Sequence, residues 1–251
     1  MFKRTLKNLL MVTLLATSGI SLAAEVTVSA AASLTNAFKE IAVNFEAAYP
    51  EHKVLLNFAG SGALLQQIAK GAPVDVFASA DQETMNKAQA QDLIINSSRK
   101  NFAQNSLVVI TPINSELTLS KLTDLQQEKL QRLAISNPDS VPVGRYSKQA
   151  LVSHHLWDLL AKKMINTQNV RQSLDYVARD EVDAGFVYAT DAAIMADKVK
   201  VQFTVPLETV VNYPIAITKE GGAKELSQQF IDFSFNQESQ AVLTKFGFNK
   251  P

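Results

Sequence analysis

The chain has 251 residues, 47% of them hydrophobic and 19% charged, and its 24 basic residues equal its 24 acidic ones in number. This length fits one large or two small globular domains, and the even charge balance argues against nucleic acid as a partner. The sequence contains no cysteine, which excludes disulfides, thiol catalysis and thiolate metal sites.

The first 24 residues have the pattern of a cleaved secretory signal peptide. Three basic residues within the first seven precede an apolar run over residues 9–20, which is too short to span a bilayer as a stable helix. Small residues at 21–24 predict cleavage after Ala23 or Ala24, and an uncleaved membrane anchor is the alternative. Cleavage removes three of the 24 basic residues and none of the 24 acidic ones, which leaves a net charge of −3. Without a cysteine for lipid attachment, we expect a soluble exported protein.

Short apolar strands then alternate with amphipathic helices almost to the end of the chain. Strands are predicted at Val26–Ala30, Lys53–Phe58, Asp75–Ser79, Ser106–Thr111, Arg132–Ser136, Ala184–Tyr188, Val201–Val205 and Tyr213–Thr218. Helices are predicted at Leu34–Tyr49, Gly62–Lys70, Gln82–Gln91, Leu122–Gln127, Gly144–His154, Trp157–Lys163, Val170–Arg179, Asp191–Asp197, Ala223–Phe235 and Gln237–Phe246. Such alternation is typical of an α/β fold with a mostly parallel sheet.

Two apolar runs, at Asn105–Thr111 and Asn212–Thr218, bracket about a hundred residues that have strands and helices of their own. This arrangement predicts two lobes, with the chain leaving the first lobe and later returning to it. We expect lobe I to comprise residues 25–109 and 211–251, and lobe II to comprise residues 110–210. A cleft between two such lobes is a favoured place for a ligand.

Several predicted helices begin where a ligand could be bound by neutral groups. Ser33 opens "SLTNAF", Ser61 opens "SGALLQQ", and Val143 and Val170 stand at two further helix starts. A helix N-terminus has unpaired N–H groups and a partial positive charge, so it binds anions without a cationic side chain. Taken alone, each serine is more simply explained as an ordinary helix cap.

Two further features favour a ligand site. Gly60 and Gly62 flank Ser61, and the missing Cβ atoms would allow the backbone to come close to a ligand. Tyr188 ends the predicted strand "AGFVY", where its hydroxyl could point into a cleft. A core tyrosine with its hydroxyl at the edge is an equally good interpretation of Tyr188.

A serine hydrolase is the enzymatic alternative, and the sequence argues against it. A nucleophile elbow reads Gly-x-Ser-x-Gly, whereas residues 59–63 read Ala-Gly-Ser-Gly-Ala. The chain has three histidines that could act as the base, namely His52 and the adjacent pair His154 and His155, and none lies in a promising pattern. We therefore expect no enzymatic activity.

Metal and nucleotide sites have no clear signal either. Asp180, Glu181 and Asp183 form an acidic cluster, which is more simply interpreted as the solvated end of a helix. Neighbouring helix positions point about 100° apart, so adjacent histidines cannot share one ion. The sequence lacks a Gly-x-Gly-x-x-Gly motif and a Walker loop, and we expect neither a cofactor nor a protein-bound metal cation.

Over residues 25–250 the sequence resembles the periplasmic molybdate-binding proteins, which are the substrate-binding components of molybdate ABC importers. The segments that carry the resemblance occur in the family's order: "VSAAASLTNAF" (28–38), "FAGSGALLQQIAKGAPVDVFASADQ" (58–82), "NSLVVITP" (105–112), "VPVGRYSKQAL" (141–151), "NVRQSLDYV" (169–177), "GFVYATDA" (185–192), "YPIAI" (213–217) and "FGF" (246–248).

The resemblance implies a two-lobed type II periplasmic-binding-protein fold that holds molybdate, and also tungstate, between its lobes. The family's binding serines correspond to Ser33 and Ser61, each giving a hydroxyl and a backbone N–H. Its backbone donors in the second lobe correspond to Val143 and Val170, and its tyrosine hydroxyl to Tyr188. A periplasmic monomer that delivers the oxyanion to a membrane permease is implied as well.

The sequence departs from the family at three positions. Alanine is frequent where Val143 stands, and serines are frequent where Gly60 and Gly62 stand. A site made of donors alone suits a fully deprotonated dianion, because hydrogen phosphate would need an acceptor and Asp139 is the one carboxylate near these loops in sequence. A binding protein of the same fold for sulfate or phosphate stays as the alternative.

Overall fold

The computed structural model describes residues 24–220 and 224–251, so the predicted signal peptide lies outside the described residues except for Ala24. The strands are β1 (Ala24–Ala31), β2 (His52–Ala59), β3 (Val76–Ala78), β4 (Lys100–Asn105), β5 (Leu107–Pro112), β6 (Leu133–Ser136), β7 (Met164–Thr167), β8 (Ala184–Tyr188), β9 (Val199–Thr204) and β10 (Val211–Ile217). The helices are α1 (Thr35–Ala48), α2 (Ser61–Ala69), α3 (Gln82–Ala90), α4 (Pro142–Ser153), α5 (Trp157–Leu160), α6 (Val170–Ala178), α7 (Ala189–Ile194), α8 (Lys224–Ser234) and α9 (Gln237–Lys245). Short 3₁₀ turns lie at Ala32–Leu34, Asn96–Ser98, Leu122–Gln126 and Ala161–Lys163.

The strands form two five-stranded sheets, ordered β2-β1-β3-β10-β4 and β7-β6-β8-β5-β9. In the first sheet β10 pairs antiparallel with both neighbours, and in the second sheet β5 does the same. The other strands of each sheet therefore run in one direction, and the reversed strand is the one by which the chain enters that sheet from the other. The predicted α/β fold with mostly parallel sheets is confirmed.

Sheet membership shows where the chain passes between the two halves. The boundary expected between residues 109 and 110 falls inside β5, yet β5 pairs along its length with β8 and β9 of the second sheet. We therefore propose a correction that moves the first crossing to Ser106. The return boundary expected between residues 210 and 211 falls at the start of β10. Below, lobe I denotes the described residues of 24–105 and 211–251, and lobe II denotes residues 106–210.

Two of these strands, β4 and β7, are not predicted from the sequence. β4 begins with exposed Lys100 and Asn101 and buries Phe102 and Ala103, and it forms one edge of its sheet. β7 forms an edge of the other sheet and buries one residue, Thr167. An edge strand is paired on one side and partly solvated, so its sequence need not show the apolar run by which the other strands were predicted.

An aromatic cluster fills lobe I between its sheet and the helices that cover it. The rings of Phe38 and Phe45, both on α1, pack edge-on against Phe230 of α8, with centroid distances of 6.2 and 5.5 Å. Phe102 extends the cluster to Tyr213 of β10, whose ring contacts that of Tyr188 in lobe II at 5.9 Å. The aromatic core of lobe I therefore continues to the junction between the lobes.

Helix α4 begins at Pro142, two residues before its predicted start at Gly144. Proline is favoured in the first turn of a helix because it has no N–H to leave unpaired and its φ is already helical. A Cβ atom on Gly144 would lie 2.0 Å from the carbonyl oxygen of Ser136 at the end of β6. Glycine at this position therefore allows the first turn of α4 to lie directly on the strand, which fixes where the helix N-terminus points.

We expect Gly144→Ala to lower the free energy of unfolding by about 1–3 kcal/mol, because the new methyl group meets backbone that cannot rotate away. Urea unfolding followed by circular dichroism measures the effect. An unchanged unfolding midpoint would contradict the close packing of α4 on β6.

Candidate ligand-binding site

All five residues predicted to bind the ligand border one small hollow between the lobes. Lobe I contributes Ser33 and Ser61, and lobe II contributes Val143, Val170 and Tyr188. Each of the five is buried, with an exposed fraction of 3% or less. The remaining lining residues are Ala31, Ala32, Ala59, Gly60, Ala80, Val141, Pro142 and Asn169.

Three helix N-termini meet at this hollow. Helix α2 begins at Ser61 behind Gly60, α4 begins at Pro142 behind Val141, and α6 begins at Val170. The cap of α6 is Asn169, whose side chain accepts the N–H of Gln172 at 3.1 Å. The first N–H groups of each helix have no partner within the helix, and together with the helix dipoles they give the hollow a positive potential.

No residue that lines the hollow, among those described, has a charged side chain. The guanidinium of Arg171 lies near the hollow, with its Nη2 3.4 Å from the carbonyl oxygen of Ser33. Its Nε lies 2.7 Å from the carboxylate of Asp191, which is fully buried. Burial raises the pKa of Asp191 from 3.8 to about 6, against the opposing effect of the Arg171 charge. The pair therefore stays charged beside the hollow, and the opposite charges of Arg171 and Asp191 largely compensate each other.

The hydroxyl of Ser61 has a fixed direction. The backbone N–H of Ala80 donates to Ser61 Oγ at 3.1 Å, and a backbone N–H can do nothing but donate. The serine oxygen is therefore the acceptor in this contact, and its own proton remains for another partner. Ser33 Oγ lies 3.0 Å from the hydroxyl oxygen of Tyr213, a contact in which either group could be the donor.

The Tyr188 hydroxyl lies 3.5 Å from the carbonyl oxygen of Ala80 in lobe I, a long contact that holds its proton weakly. Burial raises the pKa of Tyr188 well above its ordinary value, so the hydroxyl keeps its proton throughout the neutral range. Tyr188 both borders the hollow and belongs to the buried core, so both interpretations of this residue fit the structure.

The two lobes are closed on each other at Gly62. Its N–H donates to the carbonyl oxygen of Ser140 in lobe II at 2.9 Å, and a Cβ atom here would lie 2.6 Å from the same oxygen. Gly62 does not line the hollow, whereas Gly60 does. The expectation that both glycines let the backbone approach a ligand is therefore corrected for Gly62, which makes room for the other lobe.

A buried ion pair also joins the lobes, and it is not predicted by the sequence analysis. Arg145 on α4 donates from Nε to Asp81 of lobe I at 2.7 Å, and its Nη2 donates to the hydroxyl of Thr84. Arg145 is 9% exposed and Asp81 3%. We call these three residues the clasp. Arg145 is 64 residues from Asp81 and 61 residues from Thr84 in sequence, so no local pattern could have paired it with them.

The features behind the enzymatic and metal alternatives lie elsewhere. None of the three histidines, all within the described residues, borders the hollow. Asp183 accepts the backbone N–H groups of Gln131 and Arg132, so it anchors a turn. Asp139, the carboxylate near Val143 in sequence, lines surface grooves and not the hollow.

A family model for bacterial extracellular solute-binding proteins matches residues 26–249. The chain belongs to this family. The solute-binding protein described here is 36% identical to the molybdate-binding protein ModA of Escherichia coli K12 over 241 residues, which are 93% of each chain. None of its helices, over the described residues, is both long and apolar enough to cross a membrane.

Solved structures of similar proteins confirm the two-lobed fold of this solute-binding protein. It matches the periplasmic molybdate-binding protein of Azotobacter vinelandii with a TM-score of 0.80 and 25% identity, over 90% of this chain and 99% of the other. The sulfate-binding protein SubI of Mycobacterium tuberculosis has the same TM-score at 13% identity, over 90% of this chain and 87% of the other. The fold is thus shared with a protein named for another oxyanion, and the ligand has to be argued from the site.

We expect Gly62→Ala to weaken binding of molybdate, the ligand implied by the resemblance, by about tenfold or more. The added methyl group clashes with Ser140 in the closed form, at a cost of roughly 1–3 kcal/mol, whereas opening the lobes relieves the clash. Titration calorimetry measures the molybdate affinity of each variant, and thermal unfolding measures its stability. Gly144→Ala is the contrasting variant, because its clash lies within lobe II and lowers stability. Unchanged affinity in Gly62→Ala would contradict the role of this contact in closure.

The raised pKa of Asp191 predicts a pH dependence of stability. The folded chain holds this proton more tightly than the unfolded chain, whose carboxyl keeps the ordinary value of 3.8. The contribution of Asp191 to the free energy of unfolding is therefore highest below pH 3.8 and declines as the pH rises to about 6. Urea unfolding of wild type and Asp191→Asn at several pH values isolates this contribution. The free energy of unfolding of the wild type minus that of the variant should fall between pH 3.8 and about 6. A difference that rises with pH would show that the Arg171 charge outweighs burial.

Proposed function

We propose that the chain is a periplasmic substrate-binding protein that captures molybdate or tungstate and delivers it to the permease of an ABC transporter. The observation that carries the proposal is the hollow itself: it is buried between two lobes, bordered by N–H and O–H donors, and free of charged side chains in its described lining. The names of the Escherichia coli and Azotobacter vinelandii relatives support the choice of molybdate.

In this proposal the hydrogen-bond donors to the ligand come from the five predicted residues. Ser33 and Ser61 each give a hydroxyl and a backbone N–H, Val143 and Val170 give backbone N–H groups, and Tyr188 gives a hydroxyl. The contact between Ala80 and Ser61 supports the assignment, because it leaves the serine proton to be donated to a ligand oxygen. The helix N-termini stabilise the negative charge without a salt bridge.

Donors without acceptors select for an anion that carries no proton. Molybdate and tungstate are fully deprotonated dianions at neutral pH, so each of their oxygens can accept. Hydrogen phosphate would point its own proton at a donor, at a cost of roughly 1–3 kcal/mol. Sulfate is also free of protons, and its smaller size is the property that separates it, because a smaller ion cannot reach donors on both lobes at once.

Because each lobe supplies part of the donor set, ligand binding favours the closed arrangement of the lobes. The clasp and the contact between Gly62 and Ser140 add to the closed form from outside the hollow. In this proposal the permease recognises the closed monomer. The signal-peptide pattern at the N-terminus supports export to the periplasm.

We assign no enzymatic step to Ser61. A serine nucleophile needs a base that removes its proton, and no histidine borders the hollow in the described chain. The N–H that Ala80 donates to Ser61 Oγ also withdraws electron density from the oxygen, which makes it a poorer nucleophile. The same geometry is favourable for a hydroxyl that donates to an anion.

Calorimetric titration of the purified mature protein with molybdate, tungstate, sulfate and phosphate tests the proposal. We expect molybdate and tungstate to bind more tightly than the other two. Ser61→Ala should weaken molybdate binding by roughly tenfold to a hundredfold, because it deletes a hydrogen bond to a charged ligand. Val143→Ala is the matched control, since it changes a side chain and keeps the backbone donor.

Tighter binding of sulfate than of molybdate would overturn the choice of ligand. Complete loss of binding in Val143→Ala would overturn the backbone role of that residue. Ester hydrolysis by the wild type that disappears in Ser61→Ala would favour the hydrolase instead.

A further inference from the structure

The hydroxyl of Ser33 is connected to the first crossing between the lobes by a chain of hydrogen bonds whose direction can be determined. The chain begins at Asn105, the last residue of β4, and passes through Tyr213 of β10. Asn105 Oδ1 accepts the backbone N–H of Ser106 at 2.9 Å. Because that N–H can do nothing but donate, the oxygen of the Asn105 amide must face it, and the Nδ2 group must face the opposite way.

The Nδ2 group of Asn105 then has two protons to donate. One goes to the hydroxyl oxygen of Thr190 in lobe II at 2.8 Å, and the other to the hydroxyl oxygen of Tyr213 at 3.2 Å. Asn105 is thus held by groups from both lobes and from the crossing between them. The oxygen of Tyr213 is an acceptor in this contact.

The phenol of Tyr213 has a single proton and is fully buried, and Ser33 Oγ is the acceptor that lies within reach of this proton. Tyr213 accepts from Asn105 and directs its own proton to Ser33 Oγ at 3.0 Å. Ser33 Oγ is therefore the acceptor in a contact that, taken alone, could run either way. Its own proton is left for the hollow that Ser33 borders.

Water does not compete along this chain. Asn105 is 6% exposed, Ser33 3% and Tyr213 0%. Burial raises the pKa of Tyr213 well above its ordinary value, so the phenol keeps the proton that the chain requires. The directions of these bonds are therefore set by the protein itself.

We infer that Asn105 and Tyr213 are positioning residues that direct the proton of the Ser33 hydroxyl toward the bound oxyanion and so help to reject anions that carry a proton. This inference rests on the proposed function and deepens it. Without the Tyr213 hydroxyl, Ser33 could turn its lone pairs to the hollow and accept a proton from hydrogen phosphate. With it, one lone pair of Ser33 Oγ is occupied, which favours the hydroxyl orientation that directs the proton to the hollow.

A double-mutant cycle in the mature protein, with molybdate as the probe, tests the inference. Tyr213→Phe keeps the packed ring and deletes the hydroxyl, and we expect it to weaken molybdate binding about tenfold. In a Ser33→Ala background the same change should weaken binding by less than about twofold, because the group through which Tyr213 acts is absent. Equal losses in both backgrounds would show a merely structural role and overturn the inference.

Selectivity provides the second readout, since loss of packing would not change it. Tyr213→Phe should lower the affinities for molybdate and sulfate by a similar factor and leave the affinity for phosphate unchanged or raised. The ratio of molybdate to phosphate affinity then narrows about tenfold, while the ratio of molybdate to sulfate affinity stays constant. A phosphate affinity that falls by the same factor as that for molybdate would overturn the inference.

Tyr49→Phe is the matched control, because Tyr49 also packs its ring in lobe I and lies away from the hollow. We expect wild-type affinities and ratios from this variant. Failure of the wild type and Tyr49→Phe to bind molybdate would refute the proposed function. Normal binding in those two together with unchanged binding in Tyr213→Phe would refute the inference alone.

Discussion

The proposed function depends on one constraint: a doubly negative ion has to leave water for a hollow without a charged lining. The lost hydration has to be replaced by N–H and O–H groups that already point at the ion, because groups that had to reorient would give back much of the gain. Helices α2, α4 and α6 meet this need by directing their N-termini to one point. Gly144 serves the same purpose, because its close contact with β6 sets the direction of the N-terminus of α4. Arg145 and Arg171 lie nearby, and each is paired with a buried aspartate. The charges around the hollow therefore occur in compensated pairs. In the proposed function, anions are then selected by the positions of the donors and by the directions of their protons.

The division into two lobes follows from the same constraint. A rigid cage would admit no ion, so the donors are divided between two bodies that separate and close. The reversed strands β5 and β10 are the segments by which the chain crosses, and the residues around them, Asn105 and Tyr213, reach into the site. Lobe closure and site assembly therefore share residues. The clasp lies outside the hollow, and it adds to the closed form a contribution that does not depend on which anion is bound. A change in the clasp is thus expected to alter affinity for every ligand alike, unlike a change in the donors.

The sequence was sufficient for the alternation of elements, because helix starts and the ends of apolar strands are local patterns. The same patterns made the five residues that border the hollow candidates, and the resemblance to the family brought them together as one site. The sequence was insufficient for β4 and β7, which are edge strands with exposed polar residues. Gly62 was assigned to ligand approach because nothing local indicates that Ser140, in the other lobe, lies against it. The clasp, the pair of Arg171 with Asp191, and the chain from Asn105 to Ser33 join residues that are distant in sequence. A single sequence contains the residues of such contacts and not their pairing. The roles of the five residues in binding stay predictions.

Two properties of an oxyanion, its size and its protons, are distinguished here by different parts of the molecule. Size is sensed by the distance between donors on opposite lobes, and so by backbone positions and closure. Protons are sensed by the direction of individual hydroxyl groups, which no backbone position determines, because a hydroxyl can rotate between donating and accepting. At both serines that freedom is reduced by a neighbour in lobe I: Ala80 donates to Ser61, and Tyr213, oriented by Asn105, donates to Ser33. Each of these bonds traces back to a backbone N–H, a group that can never accept. In the proposed mechanism the rejection of protonated anions is therefore biased by the main chain, one hydrogen bond away from Ser61 and three away from Ser33.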